Sequence, residues 1–233
     1  MLGNEVHRIG PSPEARRTSW WAAVGAIAIT LWTLFWPYPY PLAIIACALA
    51  PWAGVLIVKR LPELSLFGGE RDDGAEELGM VWAAPSLALA LRAFDHAFCD
   101  GWLTAAAAIL PGAALWISMM AADTQHRSRG TMLCAAAFAW IWGWGLLTYA
   151  DVTLARPRFE FVVGVIDDIG ATSRDEPTFD VTATVAGQRR TFEGLVVSPA
   201  VYASHPSGGP ICLEVHRGLL GARYVYAVAC PAT

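Results

Sequence analysis

The sequence predicts a membrane α-helical bundle, with four transmembrane helices plus one interfacial amphipathic helix, followed by a small all-β barrel of the SH3 or OB kind. Three observations carry this. Stretches 19–58, 102–122 and 131–150 contain no Asp, Glu, Lys or Arg, which is how chains look where water is absent. Charged residues are 15% and hydrophobic ones 55% of the 233; about 25% charged is usual, so the chain is too apolar to be globular throughout. After Ala150 the texture changes to short alternating runs punctuated by glycine, the pattern of strands and turns. The organisation expected is a cytoplasmic tail at 1–18, a membrane domain at 19–150 with a cytoplasmic loop at 59–101, and a soluble five-stranded domain at 151–233.

The first charge-free stretch is too long for one helix. Pro37, Pro39 and Pro41 divide it, because proline lacks the N–H a helix needs and clashes with the preceding turn. A helical hairpin results, with arms Trp20 to Trp36 and Leu42 to Val58. Spans three and four are Trp102 to Ala122 and Met132 to Ala150. Trp20, Trp21, Trp36, Tyr38 and Tyr40 bracket the first arm, Trp102 opens the third span and Tyr149 closes the fourth, at the headgroup level such rings prefer.

Basic residues resist translocation. Arg8, Arg16 and Arg17 before span one, and Lys59 and Arg60 after span two, place both of those ends in the cytoplasm. With four spans the C-terminus is then also inside, and the expectation is a bacterial inner-membrane protein oriented N-in/C-in. Arg16-Arg17 also invites a twin-arginine export reading, but the apolar stretch that follows exceeds a signal core and leads into a second span.

Residues 80–98 could overturn this parity. The apolar run Val81 to Leu91 is short for a span, and Arg92, Asp95, His96 and Cys99 fall at i, i+3, i+4 and i+7, one stripe on a helix. The expectation is a helix lying in the membrane surface; if it crossed, everything after it would change sides. The acidic, glycine-interspersed segment 70–77 reads as a solvated loop.

Within lipid, small residues let helix backbones approach. Ala46, Ala50 and Gly54 recur at four-residue intervals on the second span and Ala135, Ala139 and Gly143 on the fourth, while Ala108 and Gly112 flank Pro111 on the third. These grooves serve packing within the bundle or homo-oligomerisation. Pro51 and Pro111 sit near mid-span, where proline kinks a helix.

In the soluble part, 159–165, 179–185, 189–197, 211–216 and 224–228 read as strands. Ala186-Gly187 marks a hairpin turn, and Ser198-Pro199 a capped helical turn after the third strand. The run Gly194 to Val228, GLVVSPAVYASHPSGGPICLEVHRGLLGARYVYAV, resembles the C-terminal β-module of uncharacterised bacterial multi-pass inner-membrane proteins. It is also loosely similar to the OB-like tail of NfeD-type membrane proteins, which resemble partners of membrane-scaffold proteins. The resemblance implies a module presented beside a bilayer for protein–protein interaction, and it brings no catalytic residue.

An OB-like module suggests nucleic acid, but residues 151–233 carry 7 basic and 9 acidic side chains, and a phosphate binder needs a basic face. No HExxH, GxSxG, CxxC or GxxxxGK[ST] pattern occurs, so neither a catalytic set nor a cofactor or metal site is expected. The best candidate cluster is Asp95, His96 and Cys99 with Asp100, three plausible ligand types near one helix face. Cys212 and Cys230 should be free thiols in the cytoplasm and could pair outside it. The functional expectation is a non-enzymatic accessory or scaffold protein whose partners are the bilayer and a protein bound through 151–233. The alternative is a small transporter or channel component using proline-kinked helices, although coupled transport usually shows an intramembrane ionisable residue.

Overall fold

The computed structural model describes residues 11–36, 38, 40–67, 76–93, 102–123, 129–154, 159–172 and 176–230. The chain divides into two compact units, one of helices comprising Met1–Ala93 and Ala105–Thr148, the other comprising Phe94–Thr104 and Tyr149–Thr233.

Helix α1 (Pro13–Phe35) starts with Ser12 as its cap, the hydroxyl accepting from the Ala15 N–H, and with proline at its first position, where a missing N–H costs nothing. Helix α2 (Tyr40–Arg60) runs back antiparallel to it. At one end of this hairpin the Thr33 hydroxyl donates to the Ala43 carbonyl and lies 3.1 Å from the Cys47 sulfur. At the other, the Ser12 N–H donates to Glu63 just beyond α2.

A short parallel pair, β1 (Leu64–Ser65) with β2 (Glu76–Glu77), follows α2 and leads into α3 (Gly79–Ala93). The third span, Trp102–Ala122, is built from α4 (Trp102–Ala107) and α5 (Ile109–Ala122). It breaks at Ala108, as Pro111 requires, because the proline cannot donate to the Ala107 carbonyl four residues back. The fourth is α6 (Arg129–Thr153). Among the described residues, four helices are long and apolar enough to cross a membrane.

Helix α3 departs from expectation. Instead of presenting a polar face, it buries Val81, Trp82, Pro85, Ser86, Ala88, Leu89, Ala90 and Ala93. It packs lengthwise against α1 and α2 and touches α6 through Trp82 on Phe138 and Leu89 on Gly145. Of the polar stripe expected on an interfacial helix, only Arg92 falls within these bounds. Its apolar run is short for a span, and α1, α2 and α6 pack around it.

The second unit is an antiparallel sheet curled into a half-barrel, in the order β5-β4-β3-β6-β7. The strands are β3 (Phe159–Ala171), β4 (Pro177–Val185), β5 (Gln188–Val196), β6 (Pro210–Arg217) and β7 (Arg223–Val228), with the short helix α7 (Pro199–Ser204) after β5. Register shifts at 166–168 on β3 and 179–181 on β4 curl the sheet, since bulges sharpen twist. Ala186 and Gly187 both adopt positive φ in the β4–β5 turn, and Ser198 caps α7 through the Val201 N–H. Phe179, Val181, Ile166, Ile211 and Leu213 form the centre of a wholly apolar core. Cys212 and Cys230 form a disulfide, Cα to Cα 4.9 Å.

The third and fourth long helices meet closely at Gly143. A Cβ on Gly143 would lie 2.7 Å from the Ala108 carbonyl oxygen and 3.0 Å from the Gly112 nitrogen, so no side chain fits there. Gly143→Ala is expected to destabilise the helical unit by about 1–3 kcal/mol, read as earlier thermal unfolding in detergent, whereas Ala46→Gly at a half-buried position should cost less.

Candidate interaction face of the β-module

Alternation along β3 gives the sheet two unlike faces. Val162, Gly164 and Ile166 turn inward. A Cβ on Gly164 would meet Val181 at 2.5 Å, which explains the glycine at this position. The alternate residues Phe159, Phe161, Val163 and Val165 turn outward and are 45 to 64% exposed, high enough that the core does not account for them.

Register extends this outer face across the neighbouring strands. Phe159 stands opposite His216 and His216 opposite Tyr224; Phe161 stands opposite Glu214 and Glu214 opposite Tyr226; Val163 stands opposite Cys212 and Cys212 opposite Val228. The His216 ring stacks on Tyr224, meets Tyr226 edge-on and lies beside Phe159, and its Nε2 is 3.2 Å from the Glu214 carboxylate. On the β4–β5 side the face turns polar, with the Thr182 and Thr191 hydroxyls bonded at 2.8 Å. The face is thus an aromatic and aliphatic field around one polar pair, bordered by hydroxyls.

Burial pushes the Tyr226 phenol above its ordinary value. Tyr224 is raised too, by burial first and then by the proximity of Tyr226 and Asp151. A cavity of about 760 Å³ opens beside this field. Among the described residues it is lined by apolar Val162, Val185 and Val215 and by charged Glu160, Arg217 and Arg223.

The β6–β7 turn closes around Asp151, in the last turn of α6. Leu220 and Ala222 donate backbone N–H groups to its carboxylate, the Leu219 N–H reaches its carbonyl, and the Tyr224 hydroxyl reaches the Val152 carbonyl. A Cβ on Gly218 would overlap the Asp151 carboxylate. Hydropathy gives no hint of this arrangement; the only sequence signal was an acid at the close of an apolar run.

Of the residues singled out from sequence, Gly54 lies against Val81 and Leu66, and Ala139 and Gly143 lie against Gly112 and Ala108. Ala50 and Ala135 are buried and Ala46 is half-buried. Arg92 donates from Nε to the Thr33 carbonyl and from Nη2 to the Leu34 carbonyl, so it binds the end of α1. Asp95, His96 and Cys99, with Asp100, lie outside the described residues. Among the described residues no group of His, Cys, Asp or Glu could hold a metal ion. No family model, curated protein or solved structure matches the chain.

Two outcomes follow. Gly218→Ala should destabilise the β-module by about 1–3 kcal/mol, seen as an earlier unfolding transition of the whole protein. Titration of tyrosinate absorbance should show a class ionising above the ordinary value of about 10, diminished in Tyr226→Phe. Because the folded state keeps this phenol protonated, its contribution to stability is full below that ordinary value and is lost as pH rises through the raised one.

Proposed function

We propose that the protein is a non-enzymatic accessory or scaffold protein of a bacterial inner membrane, whose helices hold the β-module beside the bilayer so that its outer face can dock a protein partner. The supporting observation is that face: Phe159, Phe161, Val163 and Val165 stay exposed along β3, and Tyr226 stays exposed on β7, across β6 from them. Contiguous apolar surface rimmed by polar groups marks interaction sites, and the aromatic share matches the residues enriched at interface centres. The threonine border and the Glu214–His216 pair would give such a partner its orientation.

The reading is tested in cells with a photo-crosslinking amino acid placed at Val163, in the apolar field, or at Thr184, on the polar border of the same sheet. A discrete heterologous adduct at Val163, absent at Thr184 and reduced at least fivefold by Phe161→Asp, is expected. Equal labelling at the two sites would overturn it. An adduct of twice the chain's mass would replace the heterologous partner by a second copy.

A further inference from the structure

We infer that residues 79–93 cross the membrane, making five crossings, and that the β-module therefore lies outside the cytoplasm with its Cys212–Cys230 bond formed. The module sits on that side whether or not it docks a partner.

Helix ends meet in pairs that fix which end of the bundle each belongs to. Ser12 on Glu63 puts the start of α1 and the end of α2 at one end of the bundle, marked by Arg16, Arg17, Lys59 and Arg60. Thr33 on Ala43 puts the end of α1 and the start of α2 at the opposite end. Helix α3 begins at the basic end, where the Trp82 indole donates to the Leu66 carbonyl at 2.7 Å and the Leu78 N–H to the Ser65 carbonyl. It finishes at the opposite end, where Arg92 reaches the carbonyls of Thr33 and Leu34, each at 2.8 Å. Its 15 residues measure about 22 Å at 1.5 Å each. That is short for lipid, but it suffices for a helix walled by α1, α2 and α6.

The next helices follow the same alternation. Asp123, at the end of α5, accepts from the Ser65 hydroxyl and the Leu66 N–H, both at 2.8 Å, so the third long span returns to the basic end. Four crossings with a cytoplasmic 59–101 loop would put Asp123 and Ser65 on opposite sides of the bilayer. Helix α6 then starts at the basic end and runs parallel to α3: Trp82 meets Phe138 and, seven residues on in both helices, Leu89 meets Gly145. It delivers the chain to the far side.

Charge gives the absolute direction. Lys59, Arg60, Arg16, Arg17, Arg127 and Arg129 all flank the end that this scheme places inside. Counting alone could not have chosen between the schemes. Of eleven basic residues up to Arg158, five crossings place eight inside and four crossings place nine. Arg92 is the difference that matters, because its guanidinium satisfies helix-end carbonyls at the outer end. The disulfide is a separate observation in the same direction, since such bonds persist in oxidising compartments and are rare in the cytosol.

The test uses the full chain carrying a C-terminal reporter at Thr233, either an alkaline phosphatase, active only outside the cytoplasm, or a green fluorescent protein exported unfolded, which is fluorescent only inside it. Phosphatase activity at least tenfold above the cytoplasmic background, with dark fluorescent fusions, is expected; the reverse pattern overturns five crossings. A fusion-free measurement guards against misfolding. In a chain with Cys47, Cys99 and Cys134 changed to Ala, Ser128→Cys should be closed to an impermeant maleimide in intact cells and open after permeabilisation, while Tyr38→Cys is open in both. Labelling of Ser128→Cys in intact cells overturns the inference.

Discussion

Every backbone N–H and C=O in a bilayer must find a partner inside the protein, and here the groups left over at helix ends and breaks decide the architecture. A helix satisfies its own middle but leaves the last carbonyls open. Those of α1 are taken by Arg92 from α3. The Asp123 carboxylate takes the Leu66 N–H beyond α2, and the Trp140 indole takes the Ala105 carbonyl beside the break before Pro111. Each pairing joins elements distant in sequence and fixes the height of one helix against another. Small residues then set how close the helices come, as where Gly143 meets Ala108 and Gly112.

The same constraint explains a 15-residue helix in the bundle. A span facing lipid must match the hydrocarbon thickness, but α3 turns eight of its residues into protein. Its polar terminus is neutralised by dipole and hydrogen bonding, because the end of α1 carries partial negative charge and Arg92 donates into it. An arginine that reads as membrane-surface polarity in the sequence is thus a structural donor at the close of another helix.

What the sequence made legible was local. The long spans appear in the charge-free stretches, the strands in period-two alternation, the β4–β5 turn in Ala186-Gly187 and the α7 cap in Ser198. The role of residues 79–93 was hidden because hydropathy measures a segment against lipid and has no term for neighbours. Asp123 and Ser65 are 58 positions apart, and no local pattern pairs them. For the outer face, alternation told which residues of β3 share a side, but register was needed to bring His216, Tyr224 and Tyr226 beside Phe159. Asp95, His96 and Cys99 stay a sequence proposal.

The β-module is small, and small domains bury too little surface to be stable by core alone. Cys212 and Cys230, 18 residues apart, close a loop whose constraint is worth roughly 3 kcal/mol in the chain-entropy description. The bond fastens the end of β7, an edge strand, to β6. Edge strands are where sheets fray or pair wrongly, so the clamp lies where a half-barrel most needs it. It also holds Val228 beside Cys212 and Val163, at one margin of the aromatic field. A reducing environment would therefore loosen the edge and the proposed docking face together, which makes the compartment of the module a condition of its function.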